Sequence, residues 1–238
     1  MSVPNQELNT RLGLRDMTER RRRLRRRLTI VATMIAVALV TGTLLFSPVL
    51  ATHQVEVRGT AVLSTEEVIE AAQVPLGVPL TRLPRAAISE RISALAPVAD
   101  VRFGQSLPHT LIITVTERMM VYQVADRGSF HWVDGEGVDF HQTAEQADGL
   151  LGVLDISNER LLRDVATVVT SLGPEVVTMT TKVTADSIDH IVLTLSDGRQ
   201  INWGSAEKSA EKAAVLPTLL GMKAAWIDVS VPSHPAIK

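Results

Sequence analysis

The chain has 238 residues, a formal net charge of −2 and no cysteine. The lack of cysteine excludes a disulfide framework and thiol catalysis, although it does not contradict export. Only eight residues are aromatic, so any folded core must be built mainly from aliphatic side chains.

The first 27 residues are strongly basic. They hold nine arginines and three acidic residues, a net charge of +6, so the rest of the chain carries −8. We interpret residues 1–27 as a cytoplasmic tail, because arginines beside one end of a membrane span hold that end in the cytoplasm. The residues that carry this topology signal are Arg20, Arg21, Arg22, Arg23, Arg25, Arg26 and Arg27.

An uncharged, mostly apolar stretch follows, with no charged residue between Leu28 and Val55. As a helix, the 19 residues of 28–46 would reach about 29 Å, close to the ~30 Å hydrocarbon core of a bilayer. The sequence therefore predicts one transmembrane helix at residues 28–48 and an extracytoplasmic C-terminus.

Two alternative interpretations of these residues stay open. One is a signal peptide cleaved near Ala51, although signal cores run only about 7–15 residues; the other is nucleic-acid binding by the arginine run.

The next part of the chain has the pattern of a small α+β module. Ser64 and Glu67 have the spacing of a capping box, which predicts a helix to about residue 72 with Val68 and Ile69 facing inward. Around this helix the hydrophobic periodicity predicts a strand at 53–58, a second helix at 84–95, a strand at 98–103, a turn at 104–108 and a returning strand at 109–116. The order is β-α-α-β-β.

The second half reads as richer in strands. The pattern predicts a hairpin at 130–140, an amphipathic helix at 158–172, a hairpin with an Asp-Gly turn at 191–204, a helix at 206–220 and a closing strand at 226–231. Alternation in the closing strand places Ile227, Val229 and Val231 inward.

Several ordered motifs resemble a known family. They are Val55, Val57 and Gly59; Ala96, Pro97 and Val98; Val101 and Phe103; Pro108, Thr110, Leu111, Ile113, Val115, Glu117 and Arg118; residues 130–140; residues 191–204; and residues 226–231. In this order they resemble the FtsQ (DivIB) family of bacterial cell-division proteins. Departures are Leu107, where an aromatic residue commonly precedes the proline, and Met119, where the family usually carries proline.

The resemblance implies a single transmembrane helix followed by an α+β fold. It implies a POTRA domain (β-α-α-β-β) at residues 53–118, an FtsQ-type β domain with a terminal helix and strand at 119–231, and a C-terminal tail at 232–238.

The sequence offers no constellation typical of catalysis. The six histidines are scattered, and a surface hydrolase would lack a recognisable nucleophile and base. The densest polar group could bind a metal, but it lies on a hairpin and is better explained by turn formation. It consists of His131, Asp134, Glu136, Asp139 and His141. We expect no enzymatic activity, no metal and no cofactor.

The closing strand is the best candidate for binding another chain. No later strand is expected to cover its edge, and an exposed edge can be completed by an extended peptide. The alternative is an ordinary final strand. The resemblance implies that this strand and the helix before it dock a partner; the candidate residues are Lys212, Trp226, Ser230, Val231, Pro232, Ser233, His234 and Pro235.

The resemblance also implies a function. It is a non-enzymatic scaffold of the divisome at the septum, which binds FtsB (DivIC) and FtsL and thereby helps regulate septal peptidoglycan synthesis by FtsW and its transpeptidase. Membrane lipid is the other expected contact, and neither nucleic acid nor a small-molecule substrate is expected. The alternative is a membrane-anchored POTRA module that handles polypeptides during export or assembly.

Overall fold

The computed structural model describes residues 25–42, 51–222 and 224–238. Residues 25–42 form helix α1, whose large apolar side chains from Leu28 to Val40 are each more than half exposed. Among the helices in the described ranges, none combines the length and hydropathy needed to cross a bilayer. Residues 43–48 of the predicted span, and Arg20 to Arg23 of the topology signal, lie outside the described residues.

The chain divides into two compact units. The first comprises the described residues up to Glu56 together with Gln73–Ala86 and Phe103–Ile113. The second comprises Val57–Ala72, Ala87–Arg102 and Thr114–Lys238.

The predicted β-α-α-β-β order is confirmed. It consists of β1 (Gln54–Arg58), α2 (Thr65–Ala72), a short 3₁₀ helix (Leu80–Arg82), α3 (Arg85–Ser93), β2 (Val98–Ser106) and β3 (Thr110–Glu117). The three strands form one sheet in the order β1-β3-β2. Strand β2 continues to Ser106 where the sequence predicted a turn from Gly104, because an edge strand tolerates glycine and polar residues.

The predicted capping box opens α2. The Ser64 N–H donates to Glu67 Oε2 at 2.8 Å, and the Glu67 N–H donates to Ser64 Oγ at 3.2 Å. Val68 is fully buried as predicted, but the inward prediction for Ile69 was wrong, since its side chain is 40% exposed. Successive helical residues point about 100° apart, so Ile69 turns away from the face that Val68 and Ala72 bury.

The rest of the chain builds a nine-stranded mixed sheet. Its strands are β4 (Tyr122–Asp126), β5 (Ser129–Val133), β6 (Asp139–Thr143), β7 (Leu151–Val153), β8 (Thr180–Ser187), β9 (His190–Leu195), β10 (Gln200–Gly204), β11 (Trp226–Asp228) and β12 (Ala236–Ile237). They lie in the order β12-β11-β10-β9-β8-β7-β4-β5-β6. Both predicted hairpins are confirmed as β5–β6 and β9–β10.

Three helices accompany this sheet: α4 (Glu159–Ser171), α5 (Pro174–Met179) and α6 (Ser209–Leu220). Residues of the sheet and of the helices share one hydrophobic core, as shown by fully buried Val124, Val183 and Leu193 beside Val165 and Leu216. The aliphatic character of this core follows from the shortage of aromatic residues in the sequence.

The ends of two helices follow from local chemistry. Helix α4 begins after Asn158, whose Oδ1 accepts the Leu161 N–H at 3.1 Å, in agreement with the predicted range. Helix α6 begins at Ser209 and not at Ala206 as predicted, because Lys208 adopts a left-handed conformation with φ of 55°. An L-residue in that conformation does not continue a right-handed helix.

Candidate partner-docking site

The end of the chain differs from the sequence prediction. Strand β11 lies parallel to β10, and a further short strand, β12, pairs antiparallel with its other side. The Trp226 N–H donates to the Lys238 carbonyl at 3.1 Å, and the Lys238 N–H donates to the Trp226 carbonyl at 2.9 Å. The expectation that no later strand covers β11 was therefore wrong. The sheet edge at this end is β12.

Strand β12 keeps one side open among the described residues, because its only partner there is β11. In an antiparallel pair, residues whose N–H and C=O face the partner alternate with residues whose groups face away. Trp226 and Lys238 exchange both bonds, and Asp228 with Ala236 is the next such pair. The N–H and C=O of Ile237 therefore point outward, and its side chain is 42% exposed.

Asp228 turns the chain out of the sheet after β11. Its Oδ1 accepts the Ser230 N–H at 2.8 Å and the Ser230 hydroxyl at 2.6 Å, while its Oδ2 accepts the Asn202 side-chain amide at 3.0 Å. Burial alone would raise the pKa of Asp228, but the hydrogen bonds from Ser230 and Asn202 and the charge of Lys212 lower it below the usual carboxyl value. The carboxylate thus stabilises the turn in its ionised form.

The turn changes the predicted surface. Val229 is fully buried, as the alternation predicted, and its N–H donates to the Asn202 carbonyl at 3.0 Å. The inward prediction for Val231 was wrong: it lies in a bend outside any strand and is 53% exposed. Pro232 follows it, and the His234 N–H donates to the Val231 carbonyl at 3.0 Å, so the chain reverses before β12.

Four more of the candidate residues lie in or beside this reversal. Ser233, His234 and Pro235 are exposed, while Pro232 is half-buried. Ser233 Oγ and His234 Nδ1 lie 2.9 Å apart. Together with Ser230 and Val231, these residues form an accessible loop beside the β12 edge.

Lys212 occupies a different environment from the other candidates. Its side chain is 1% exposed, and its Nζ donates to the carbonyls of Trp203 at 2.9 Å and Ser205 at 2.8 Å. Burial lowers the pKa of Lys212, and the charges of Glu207 and Asp228 offset part of that effect. The ammonium group supports the connection from β10 to α6 and is not on the surface.

Trp226 is half-buried at the start of β11. The Nζ of Lys238 lies 5.6 Å from the centroid of its indole ring, within the range of a cation–π contact. This contact adds a side-chain interaction to the two backbone bonds between Trp226 and Lys238.

Sequence reasoning missed Ile237 and Lys238 as members of this site. The available signal was the alternation of small and apolar residues in Ala236 and Ile237 directly after Pro235. Two residues are too short a run for periodicity to predict a strand.

The dense polar group on the β5–β6 hairpin serves the turn. Asp134 Oδ1 accepts the N–H groups of Glu136 and Val138, each at 2.9 Å. His131 Nδ1 lies 2.8 Å from Asp139 Oδ2 across the two strands. Within the described ranges, no group of three or more histidine, cysteine or acidic residues is arranged to hold a metal ion.

Two family models match the chain in succession. The model described as "POTRA domain, FtsQ-type" matches residues 50–118, and the model described as "Cell division protein FtsQ/DivIB, C-terminal" matches residues 122–230. The fold and these matches define a cell-division protein built from a POTRA module and a β-rich module. The chain belongs to the FtsQ/DivIB family.

Curated relatives agree with this assignment. The chain is 38% identical to "Cell division protein FtsQ" of Streptomyces bingchenggensis over 236 residues, which covers 92% of this chain and 89% of the relative. It is 34% identical to the protein of that name from Mycobacteroides abscessus over 216 residues, a match that covers 89% of this chain and 68% of the relative. For the Mycolicibacterium smegmatis protein the identity is 35%, and the match spans 87% of this chain and 63% of the relative.

A solved structure is also similar. It is the major extracytoplasmic domain of the cell-division protein DivIB from Geobacillus stearothermophilus, with a TM-score of 0.37 and 15% identity. The match covers 44% of this chain and 93% of that structure.

Proposed function

We propose that the chain is a non-enzymatic, single-pass membrane scaffold of the divisome. Its N-terminus lies in the cytoplasm, residues 28–48 cross the cell membrane at the septum, and residues 53–118 and 119–231 form the POTRA and β domains outside. The end of the β domain docks a partner of the FtsB (DivIC) type in complex with FtsL. Through this complex it helps regulate peptidoglycan synthesis by FtsW and the septal transpeptidase.

The observation that carries the docking proposal is the open side of β12. The outward N–H and C=O of Ile237 offer backbone hydrogen bonds at the end of a nine-stranded sheet. An extended segment of a partner can add to such an edge, with main-chain bonds supplying affinity and side chains setting register. Ser230, Val231, Pro232, Ser233, His234 and Pro235 flank the edge, and Trp226 and Lys212 support it from within the fold.

The anchor proposal is supported by the composition around α1. The large apolar side chains of α1 are exposed on all sides, a state that water disfavours and lipid satisfies. The seven arginines immediately before residue 28 fit a cytoplasmic end.

A backbone block at Ile237 tests the docking proposal. The variant Ile237→Pro removes the outward N–H but leaves the Trp226–Lys238 and Asp228–Ala236 pairs, which hold β12 to β11. We expect loss of co-purification with an FtsB-type partner from solubilised membranes. The matched control Ile237→Val keeps the N–H and a branched side chain, and we expect it to retain the partner. A folded Ile237→Pro protein that binds the partner as well as Ile237→Val would place the docking surface elsewhere.

Topology and cellular role are tested separately. A reporter fused after Lys238 should be active only outside the cytoplasm, and the mature N-terminus should not begin near Thr52, as it would after signal cleavage. Depletion of the protein should give undivided filamentous or branched cells. An export defect without a division defect would favour a polypeptide-handling role.

A further inference from the structure

The first folded residues after α1 are fixed to the rest of the first unit. Thr52 is fully buried, and both its N–H and its hydroxyl donate to the Val78 carbonyl at 2.9 Å. The Gly77 N–H donates back to the Thr52 carbonyl at 2.9 Å, and Ala51 forms an isolated bridge with Pro79. The chain therefore enters this unit through a short ladder with residues 77–79 and not as a free linker.

The next residue is joined to a second loop. The His53 N–H donates to the His109 carbonyl at 3.0 Å, and the two imidazole rings meet edge to face with centroids 5.5 Å apart. Residues 77–79 and His109 thus bind consecutive residues of the entering chain. The loop before Gly77 and the loop before His109 lie at the same end of the unit, where the chain arrives.

Each of these loops exposes a leucine. Leu76 directly precedes Gly77 and is 64% exposed, and Leu107 lies two residues before His109 and is 69% exposed. Loop tips in water usually carry polar or turn-forming residues. Two exposed leucines at the end of the unit where the chain enters are instead typical of residues that insert into a membrane interface.

The charged residues near the loops are mainly basic. Within the described residues of this unit after α1, the formally charged side chains are Arg82, Arg85 and Glu56. Both arginines follow the Leu76 loop, and Arg85 Nη2 lies 3.5 Å from Gln105 Oε1, two residues before Leu107. These three side chains carry a net charge of +1, whereas the chain from residue 28 onward carries −8.

The length of the tether restricts where this end can lie. If the membrane span ends at residue 48 as proposed, two residues separate it from Ala51, and the three Cα–Cα steps reach at most ~11 Å. The headgroup region of one leaflet is roughly 5–8 Å thick. The Leu76 and Leu107 loops are therefore held close to the lipid surface.

We infer that this end of the first unit docks on the anionic lipid surface of the membrane that anchors the chain. Leu76 and Leu107 insert between the headgroups, while Arg82 and Arg85 contact lipid phosphates. The inference rests on the proposed membrane anchor and adds a lipid-binding surface to it. Docking fixes the orientation of this unit relative to the bilayer.

Fluorescence quenching in vesicles tests this inference on the full chain. Because the protein has no cysteine, the variant Ser106→Cys accepts a single fluorophore beside Leu107. The labelled protein is reconstituted in vesicles of phosphatidylglycerol and phosphatidylcholine that contain a lipid with a shallow nitroxide. We expect stronger quenching at residue 106 than at a matched exposed reporter, Ser187→Cys, at the end of β8.

The arginines and leucines are tested in the same assay. Replacing Arg82 and Arg85 by glutamine should lower the ratio of docked to undocked protein about fivefold per arginine, because each basic residue near an anionic surface contributes on that order. This effect should vanish in pure phosphatidylcholine. Replacing Leu76 and Leu107 by serine should lower quenching in both lipids.

A third reporter separates failure of this inference from failure of the anchor. Ile35→Cys in α1 should be quenched by a lipid with a deep nitroxide. If residue 35 is quenched but residue 106 is quenched no more than residue 187, the proposed lipid-binding surface is wrong and the anchor proposal is supported. If residue 35 is not quenched, the anchor proposal is wrong and this inference falls with it.

Discussion

Lys212 and Trp203 are joined by a hydrogen bond of 2.9 Å from the Nζ of the lysine to the main-chain carbonyl of the tryptophan. The same ammonium group donates to the Ser205 carbonyl at 2.8 Å. Trp203 is itself fully buried, and its Nε1 donates to Ser209 Oγ at 3.0 Å. The lysine therefore satisfies two carbonyls at the point where the chain leaves β10 for α6.

This arrangement predicts that Lys212 acts on stability and not through direct contact with a partner. The variant Lys212→Met keeps much of the side-chain volume but leaves both carbonyls without a donor. We expect a loss of about 2–4 kcal/mol in the free energy of unfolding, measured by denaturant titration. The exposed Lys182→Met is the control and should change stability little. A Lys212→Met protein of unchanged stability that fails to bind its partner would contradict this assignment.

The pKa of Asp228 gives a prediction about pH. Because its pKa in the folded state lies below the ordinary value of 3.8, Asp228 contributes stability above that pH. The contribution is lost as the pH falls from 3.8 through the folded pKa. In unfolding titrations from about pH 5 to about pH 2, the wild type should lose more stability than Asp228→Asn. Parallel pH profiles for the two proteins would show that the carboxylate does not stabilise the turn.

The sequence predicted those parts of the fold that depend on local patterns. The capping box of Ser64 and Glu67 and the Asp-Gly turn before Arg199 lie where the residue types placed them, and the helix predicted over residues 158–172 is observed as α4. Each of these structures is formed by contacts between residues close in the chain, so the local sequence is sufficient to predict it.

The docking edge was predicted less well, because its cause lies in contacts between distant residues. The Asp228 carboxylate binds Ser230 and Asn202, and these bonds end β11 before Val231. Lys238 then pairs with Trp226, twelve residues earlier in the chain. The alternation of apolar residues correctly predicted that Ile227 and Val229 are buried. It gave no information about the reversal of the chain between β11 and β12.

Close packing between Gly204 and Ser230 gives a third prediction. Gly204 has φ of 74°, and a Cβ at this position would lie 2.9 Å from the Ser230 Cβ. Gly204→Ala should therefore destabilise the protein by about 1–3 kcal/mol and displace the loop after β11. Gly198 is the matched control, because its φ is 88° but a Cβ there meets nothing within 4 Å. Equal losses for Gly198→Ala and Gly204→Ala in thermal unfolding would mean that backbone strain, and not the contact with Ser230, determines the effect.

Glu117 gives a fourth prediction. Its carboxylate accepts the N–H groups of Ala61 at 3.0 Å, Val62 at 2.8 Å and Leu63 at 2.9 Å. In Glu117→Gln the amide nitrogen has no lone pair to offer, so at least one of these N–H groups loses its acceptor. We expect a loss of about 1–3 kcal/mol in the free energy of unfolding.

The control for Glu117 is Glu70→Gln, which makes the same change on an exposed part of α2 and should have little effect. If both variants unfold at the same denaturant concentration as the wild type, the three hydrogen bonds contribute no net stability.

The last prediction separates the β12 edge from the loop beside it. Val231 and Ile237 are both exposed, at 53% and 42%, so a lysine at either position should leave the fold intact. Ile237→Lys places a charge on the outermost strand, where it opposes pairing with an added strand. We expect it to weaken partner binding at least about tenfold, which corresponds to ~1.4 kcal/mol, and we expect a smaller effect for Val231→Lys. Binding is measured by titration of the purified partner, with circular dichroism to confirm folding. A large loss for Val231→Lys together with none for Ile237→Lys would assign docking to the loop and remove the β12 edge as the site.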